Sequence, residues 1–110
     1  MKPSNKSQGK GIWLSDKPEE ILQKQKESMV VSEYVYNPLL VNGLKFDMRI
    51  YVGITCYNPL RIYIFENGLA RFATSDYSFD PSSKENLLAH LTNYSLNKFS
   101  ENFVPNDEEL

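Results

Sequence analysis

The sequence predicts an α+β fold in which a glycine loop and one flanking helix accompany an antiparallel meander of three strands. Three observations carry that expectation. Residues 45–56 alternate strictly between apolar and polar side chains, the period of a strand with one apolar and one polar face. Two turn signals, Tyr57-Asn58-Pro59 and Asn67-Gly68, punctuate the β-branched and aromatic runs that follow. Upstream, a polar glycine-containing loop gives way to a helix-start signature.

In chain order, Ser4 to Lys10 is small and polar and contains a glycine, the mark of a loop. Gly11 to Ser15 reads as a short strand. Ser15 or Asp16 then caps a helix with Pro18 in its first turn and Glu19-Glu20 near the positive end of its dipole. That helix runs to about Glu27. Met29 to Val35 is rich in β-branched and aromatic residues and predicts a strand, which Asn37-Pro38 ends. Asn42-Gly43 marks a turn. Along 45–56, Phe46, Met48, Ile50, Val52, Ile54 and Cys56 share one face, while Lys45, Asp47, Arg49, Tyr51, Gly53 and Thr55 share the other. Leu60 to Glu66 forms the second strand of the meander and Leu69 to Thr74 the third. After a loop around Asp80-Pro81-Ser82-Ser83, a helical turn falls near Glu85 to Leu88. Residues 90–98 carry no decisive period, and no internal repeat is present.

Composition narrows the class. The chain has 110 residues, 24% charged and 41% hydrophobic, the make-up of one globular unit rather than a disordered segment. A formal net charge of −2 gives no bulk attraction to nucleic acid or anionic lipid, so any positive site is local. No apolar run reaches the length that spans a bilayer, and the first residues are too polar for a signal peptide. The single cysteine, Cys56, fits the apolar strand face and a reducing compartment. One histidine and one cysteine cannot build a zinc site.

The polar strand face holds the clearest chemistry. At ~3.3 Å per residue, Lys45 and Arg49 stand roughly 13 Å apart with Asp47 between them. A polyphosphate beside a second anionic substrate needs cations over about that span, and a carboxylate between two cations stays ionised. The plainer reading is a solvated stripe of ion pairs, each worth at most ~1 kcal/mol. In the loop Ser7-Gln8-Gly9-Lys10-Gly11, glycines let backbone amides approach a phosphate, with Lys2 and Lys10 as charge partners. It matches neither a Walker loop nor a dinucleotide fingerprint. Arg71 either reaches solvent along its stem or forks onto a carboxylate. His90, among apolar neighbours, reads as a hydrogen-bonded, partly buried histidine. Thr92, Asn93, Tyr94 and Ser95 either line a site or satisfy a turn. Asp107 to Glu109 reads as a solvated tail.

Taken together in order, these stretches resemble the tubulin–tyrosine ligase-like family. The run Lys45-Phe46-Asp47-Met48-Arg49-Ile50-Tyr51-Val52 is similar to that family's KFD-x-R stretch. Asn37-Pro38-Leu39-Leu40 precedes it, Gly68-Leu69-Ala70-Arg71-Phe72-Ala73-Thr74 follows it, and His90-Leu91-Thr92-Asn93-Tyr94-Ser95-Leu96-Asn97-Lys98 closes the series. Lys2-Pro3 and Gln8-Gly9-Lys10-Gly11-Ile12 look like the family's nucleotide loop. The wording is nearest to the polyglutamylase branch.

The resemblance implies an ATP-grasp (glutathione-synthetase-like) partial domain. It implies that Lys2 and the Gln8 to Gly11 loop hold ATP phosphates. The segment Ser32, Glu33, Tyr34 and Val35 passes the adenine, mostly through backbone groups; the family's usual Gln-Lys-Tyr here reads Ser32-Glu33-Tyr34. Lys45, Phe46 and Asp47 contact the nucleotide, with Thr92 and Asn93 beside it. Arg49 supports the transferred phosphate or the acceptor, so Lys45, Asp47 and Arg49 form the catalytic set. Arg71, with Tyr94 and Ser95, grips the incoming amino acid. The implied reaction joins free glutamate to glutamate side chains in the tails of tubulin through an acyl phosphate, using ATP and Mg²⁺. Glycine or tyrosine ligation and a non-catalytic tubulin-binding remnant are the alternatives. The implied setting is the cytoplasmic cytoskeleton, including the cilium or basal body, with no nucleic acid or membrane partner. A phosphate loop ordinarily follows a strand, which is here expected upstream of residue 1; the end from Pro105 is polar. The expectation is therefore a central piece of a larger domain over 1–104, with a tail over 105–110. The family's magnesium ligands lie downstream, and nothing from Ser100 to Leu110 matches them, so the chain alone is expected to lack its metal site and be inactive.

Overall fold

The computed structural model describes residues 1–24, 28–80 and 86–105. It contains seven strands and three short helices among those residues, an α+β arrangement. The strands are β1 (Lys2–Pro3), β2 (Met29–Val30), β3 (Leu40–Val41), β4 (Leu44–Arg49), β5 (Val52–Tyr57), β6 (Leu60–Ile64) and β7 (Leu69–Phe72). The helices are α1 (Pro18–Lys24), α2 (Leu87–His90) and α3 (Tyr94–Asn97).

The expected three-strand meander is instead one long hairpin. β5 pairs with β6 and β4 pairs with β7, all antiparallel. The hairpin turns at Tyr57 to Leu60, through Asn58-Pro59. Between the pairs Arg49↔Leu69 and Val52↔Ile64, one side has two residues and the other has four. The extra residues are accommodated as a bulge, so the strand expected over 45–56 breaks at Ile50-Tyr51. Asn67-Gly68, expected to reverse the chain, lies in this bulge. Both its φ angles are ordinary, whereas Asn42 and Gly43 have φ of 52° and 80°. Positive φ at both central residues is what a two-residue primed turn requires. The true Asn-Gly hairpin is thus the one at 42–43, which folds β3 back on β4 with Val41 opposite Leu44.

Gly68 is glycine for a different reason. A Cβ there would lie 2.7 Å from the Arg49 carbonyl oxygen, which is backbone and cannot swing away. Gly68→Ala is expected to destabilise the chain by about 1–3 kcal/mol, read as a lower urea midpoint. An unaltered midpoint would contradict the close crossing at the bulge.

Other elements are shorter than their propensities suggest. Of the strand expected over Met29 to Val35, only β2 pairs, with β1 as its antiparallel partner. Among the described residues, no strand neighbours 31–35 to complete a ladder. Gly11, with φ of 73°, closes the loop, and no strand forms over 11–15; Trp13 exchanges two hydrogen bonds with Met1, at 2.8 and 3.1 Å. In α1, Pro18 takes the first helical position. Ser15 Oγ accepts from the Lys17 amide at 3.1 Å and donates to Glu20 at 3.0 Å, so Ser15 anchors the approach to the helix. The expected end near Glu27 lies outside the described residues, as do the proposed loop centre at 81–83, Glu85 and most of the tail.

The core is small and half polar. Ala73, Ala89, Thr74, His90 and Asn97 are buried where the end of β7 meets α2 and α3. Backbone bonds from Thr74 and Ser75 to the Leu88 carbonyl tie β7 to α2. Asn97, 1% exposed, does the rest. Its Oδ1 accepts from the Thr74 amide and hydroxyl, and its Nδ2 donates to the carbonyls of Leu91 and Asn93. The apolar hairpin face is uncovered, with Met48, Ile50, Val52 and Ile54 all 49–66% exposed. A radius of gyration of 16.9 Å, against about 13 Å for a compact domain of this length, reflects the projecting hairpin.

Candidate functional site

The site grows from the pairing of β4 with β7. Register places Asp47 opposite Arg71, so side chains of opposite charge project to the same face. Arg71 forks onto Asp47: Nε donates to Oδ1 at 2.8 Å and Nη2 donates to Oδ2. Of the two readings left open for Arg71, the fork onto a carboxylate is the one adopted. Two of five guanidinium hydrogens are used in this way, leaving three directed elsewhere. Phe46 stacks on Phe72 across the same strand pair, with centroids 5.6 Å apart, which holds the register that aligns the ion pair.

The Arg71 fork depresses the Asp47 carboxyl below its ordinary range, opposed by partial burial and helped by Thr92 and by the charge of Arg49. Folding therefore favours the ionised carboxylate. The pair's contribution is present above the ordinary carboxylate pKa and is lost as pH falls through the depressed value. Asp47 is partly exposed, so screening keeps this contribution on the order of 1 kcal/mol or less. Asp47→Asn is expected to flatten the stability profile below about pH 5, measured as urea midpoints across an acid series. Parallel profiles for the two proteins would show that the pair gives no such contribution.

Lys45 lies on the same strand, half-buried. Its Nζ stands 4.8 Å from the centre of the Tyr34 ring and donates to the Tyr34 hydroxyl at 3.2 Å. Burial lowers the Lys45 pKa and the Asp47 charge opposes that shift. The Tyr34 hydroxyl meets Nδ1 of His90 at 2.8 Å. Burial raises the Tyr34 pKa, with a hydrogen bond to Tyr77 adding to it, so the phenol stays protonated. His90 is 3% exposed, more buried than the sequence suggested. Its ring meets those of Tyr34 and Tyr77 edge-on, with centroids 5.7 and 5.5 Å apart. A small cavity of about 200 Å³ opens beside Tyr34 and His90, walled also by Leu14 and Phe79.

The glycine loop reaches this region through α3. Ser95 Oγ donates to the Gln8 carbonyl at 2.7 Å. Gly9 is buried against the turn before α3: a Cβ there would stand 2.8 Å from Leu96 Cδ1 and 3.2 Å from Asn93 Oδ1. Gln8, Gly9 and Gly11 have φ of 62°, 77° and 73°, so the loop is shaped by left-handed backbone that favours glycine. Asn93 and Ser95 therefore face the loop, while Thr92 and Tyr94 line a larger cleft of about 730 Å³ with Arg71, Phe72, Asn97 and Phe103.

The fold brings Gln8, Gly9, Lys45, Asp47, Arg71, Thr92, Asn93 and Ser95 into one connected patch, with Tyr94 on the cleft wall and Phe46 beneath. Arg49 joins it through its charge on Asp47. Lys2 and Lys10 are exposed, as are Ser32, Glu33 and Val35. Sequence reasoning missed the side chains of Tyr34, Tyr77 and Asn97 as the supports of the patch. Asn93 and Asn97 are four apart in a polar run, which is the only local hint of a buried clamp. Among the described residues, no group of three or more His, Cys, Asp or Glu side chains could hold a metal ion.

The segment Thr92 to Ser95 thus joins the glycine loop, through Asn93 and Ser95, to the Arg71–Asp47 pair, through Thr92. The model of the Tubulin-tyrosine ligase family matches residues 1–110, and the chain belongs to that family. It is 50% identical over 105 residues to the tubulin polyglutamylase TTLL13 of Homo sapiens, covering 94% of this chain and 12% of that protein. It is 45% identical over 108 residues to human tubulin polyglutamylase TTLL5, covering 98% of this chain and 8% of that protein. A probable alpha-tubulin polyglutamylase, Ttll1 of Tetrahymena thermophila, is 40% identical over 116 residues, with 94% of this chain and 28% of the relative covered. The chain thus spans a small part of the length of these relatives.

Proposed function

We propose that this chain carries part of the ATP-grasp site of a tubulin polyglutamylase, which adds glutamate to glutamate side chains in tubulin tails. The observation that carries this reading is the glycine loop seated on Asn93 and Ser95. Thr92, beside Asn93, bonds Asp47, and this supports a phosphate-binding role for the loop in a chain whose relatives are named tubulin polyglutamylases.

In this reading an acceptor carboxylate attacks the terminal phosphorus of ATP, forming an acyl phosphate and releasing ADP. The amine of free glutamate then attacks the acyl carbon, loses a proton, and expels phosphate, leaving an isopeptide bond. The chain's contribution is positioning and charge neutralisation. Loop amides with Lys2 and Lys10 receive the phosphates, and Ser32 to Val35 passes the adenine. Lys45 and Arg49 balance charge as the phosphoryl group moves. Arg71 offers its remaining donors to a carboxylate of the incoming glutamate, near Tyr94 and Ser95, while Asp47 holds its orientation. When bound, Mg²⁺ would supply charge neutralisation at the phosphates, through ligands beyond the residues described. The workplace is the microtubule cytoskeleton, including that of the cilium.

The direct test supplies labelled glutamate, glycine and tyrosine in parallel to the ligase that contains this chain, with tubulin and Mg-ATP. Glutamate alone is expected to enter tubulin, and only with ATP. Incorporation of glycine or tyrosine instead would reassign the amino acid, and incorporation without ATP would sink the proposal.

A further inference from the structure

The half-buried Lys45 and Tyr34 and the buried His90 form a line whose hydrogen bonds have a direction. Lysine can only donate, so at 3.2 Å the Tyr34 oxygen is the acceptor for Lys45. The Tyr34 proton is then free to point away from Lys45, and His90 Nδ1 stands 2.8 Å off in that direction. Tyr77 is the competing acceptor, since its own proton is committed to the Tyr36 carbonyl at 2.7 Å. Nδ1 of His90 and the edge-on contacts of its ring with Tyr34 and Tyr77 fix the imidazole in one orientation.

We propose that His90 is a positioning residue for Lys45, acting through Tyr34, with Nδ1 held as a bare acceptor so that donation runs from Lys45 to Tyr34 to His90. A hydroxyl that donates to one neighbour becomes a better acceptor for another, because hydrogen bonds in a chain polarise each other. His90 therefore strengthens the Tyr34 oxygen as a seat for the Lys45 ammonium. The lysine is held over the Tyr34 ring with its charge kept despite burial. Among the described residues, the Asp47 charge bears on Lys45 from the strand rather than through the relay, while Asp16 and Asp80 line the cavity beside His90. This inference rests on the proposed role of Lys45 at ATP phosphates only for its functional meaning; the relay itself is a property of the chain without nucleotide.

The test is therefore run without nucleotide, by nitrogen NMR of the histidine ring and of the lysine side chains. In the unaltered chain, Nδ1 of His90 is expected to show the shift of an unprotonated acceptor, with Nε2 carrying the proton. In Tyr34→Phe, the Nδ1 signal moves and Lys45 titrates at lower pH, by about half a unit or more. His90→Asn presents an acceptor near the Nδ1 position and is expected to restore most of the Lys45 titration lost in His90→Leu. Adding His90→Leu to Tyr34→Phe should shift Lys45 no further. A proton on Nδ1, or an equal His90→Leu effect with and without the Tyr34 hydroxyl, overturns the proposal. The tautomer reading needs no substitution at His90, so a poorly folding variant leaves it decisive. Tyr77→Phe separates the competing acceptor: the relay predicts an unaltered His90 tautomer. If glutamate ligation fails while these signals behave as stated, the relay stands and the ligase reading falls.

Discussion

Arg71→Ala is expected to lower glutamate incorporation into tubulin by roughly 10²–10³-fold, the range for losing a preorganised donor at a charged reacting group. Two effects add. In the proposed reading, the incoming glutamate loses the donors that Arg71 has left after pairing with Asp47. Asp47 in turn loses the guanidinium that holds its carboxyl ionised, so a partly buried carboxylate is left beside Lys45. Arg71→Lys should recover little, because an ammonium cannot hold one carboxylate through a fork and present a second edge elsewhere. Steady-state kinetics separate the roles: the KM for glutamate should rise far more than the KM for ATP. Equal changes in both would move Arg71 from the amino-acid side of the cleft to the nucleotide side.

Asn97→Leu should be the most destabilising single change, at about 2–5 kcal/mol. The two side chains are similar in size, so the cost is not a cavity. Four hydrogen bonds disappear together, leaving the buried Thr74 hydroxyl without its acceptor and the Leu91 carbonyl without the Asn97 donor, while the Asn93 carbonyl keeps the Leu96 and Asn97 amides. Those bonds are what join β7 to the segment carrying Thr92 to Ser95. Urea unfolding gives the loss of stability, and amide exchange locates it. Thr74 and the α3 amides should lose protection before the β5–β6 hairpin does. Uniform loss across the chain would indicate that Asn97 is not a local clamp.

How much of this was legible beforehand depends on the range of the interaction. Strand type along 45–56 and 60–74 was readable, because period-2 alternation reports directly on backbone conformation. Partners were not. Asn-Gly occurs at both 42–43 and 67–68, and local chemistry scores the two pairs alike. Only the first adopts positive φ. The second is committed by Gly68 passing the Arg49 carbonyl, a contact across nineteen positions that no local pattern encodes. The same reasoning explains Arg71: its sequence neighbourhood left solvent and carboxylate equally open, and cross-strand register decided between them.

The candidate residues at Lys45, Asp47, Arg71 and the glycine loop were named from the order of motifs in the chain. Their mutual arrangement was not. Gly9 is required by its close approach to Leu96 and Asn93 as well as by any phosphate it receives, a distinction invisible in a loop read as merely flexible. Tyr34, expected to matter through its backbone, contributes its hydroxyl to Lys45 and His90.

By itself the sequence determined the α+β class, the polar strand face and the family motifs, since these depend on residue type at short spacing. Tertiary structure alone decided that the strands form one bulged hairpin and that Asp47 pairs with Arg71. It also decided that a buried histidine lies behind Lys45. Those outcomes depend on which distant groups satisfy each other's hydrogen bonds once water is excluded, and that is settled only when the whole chain is in place.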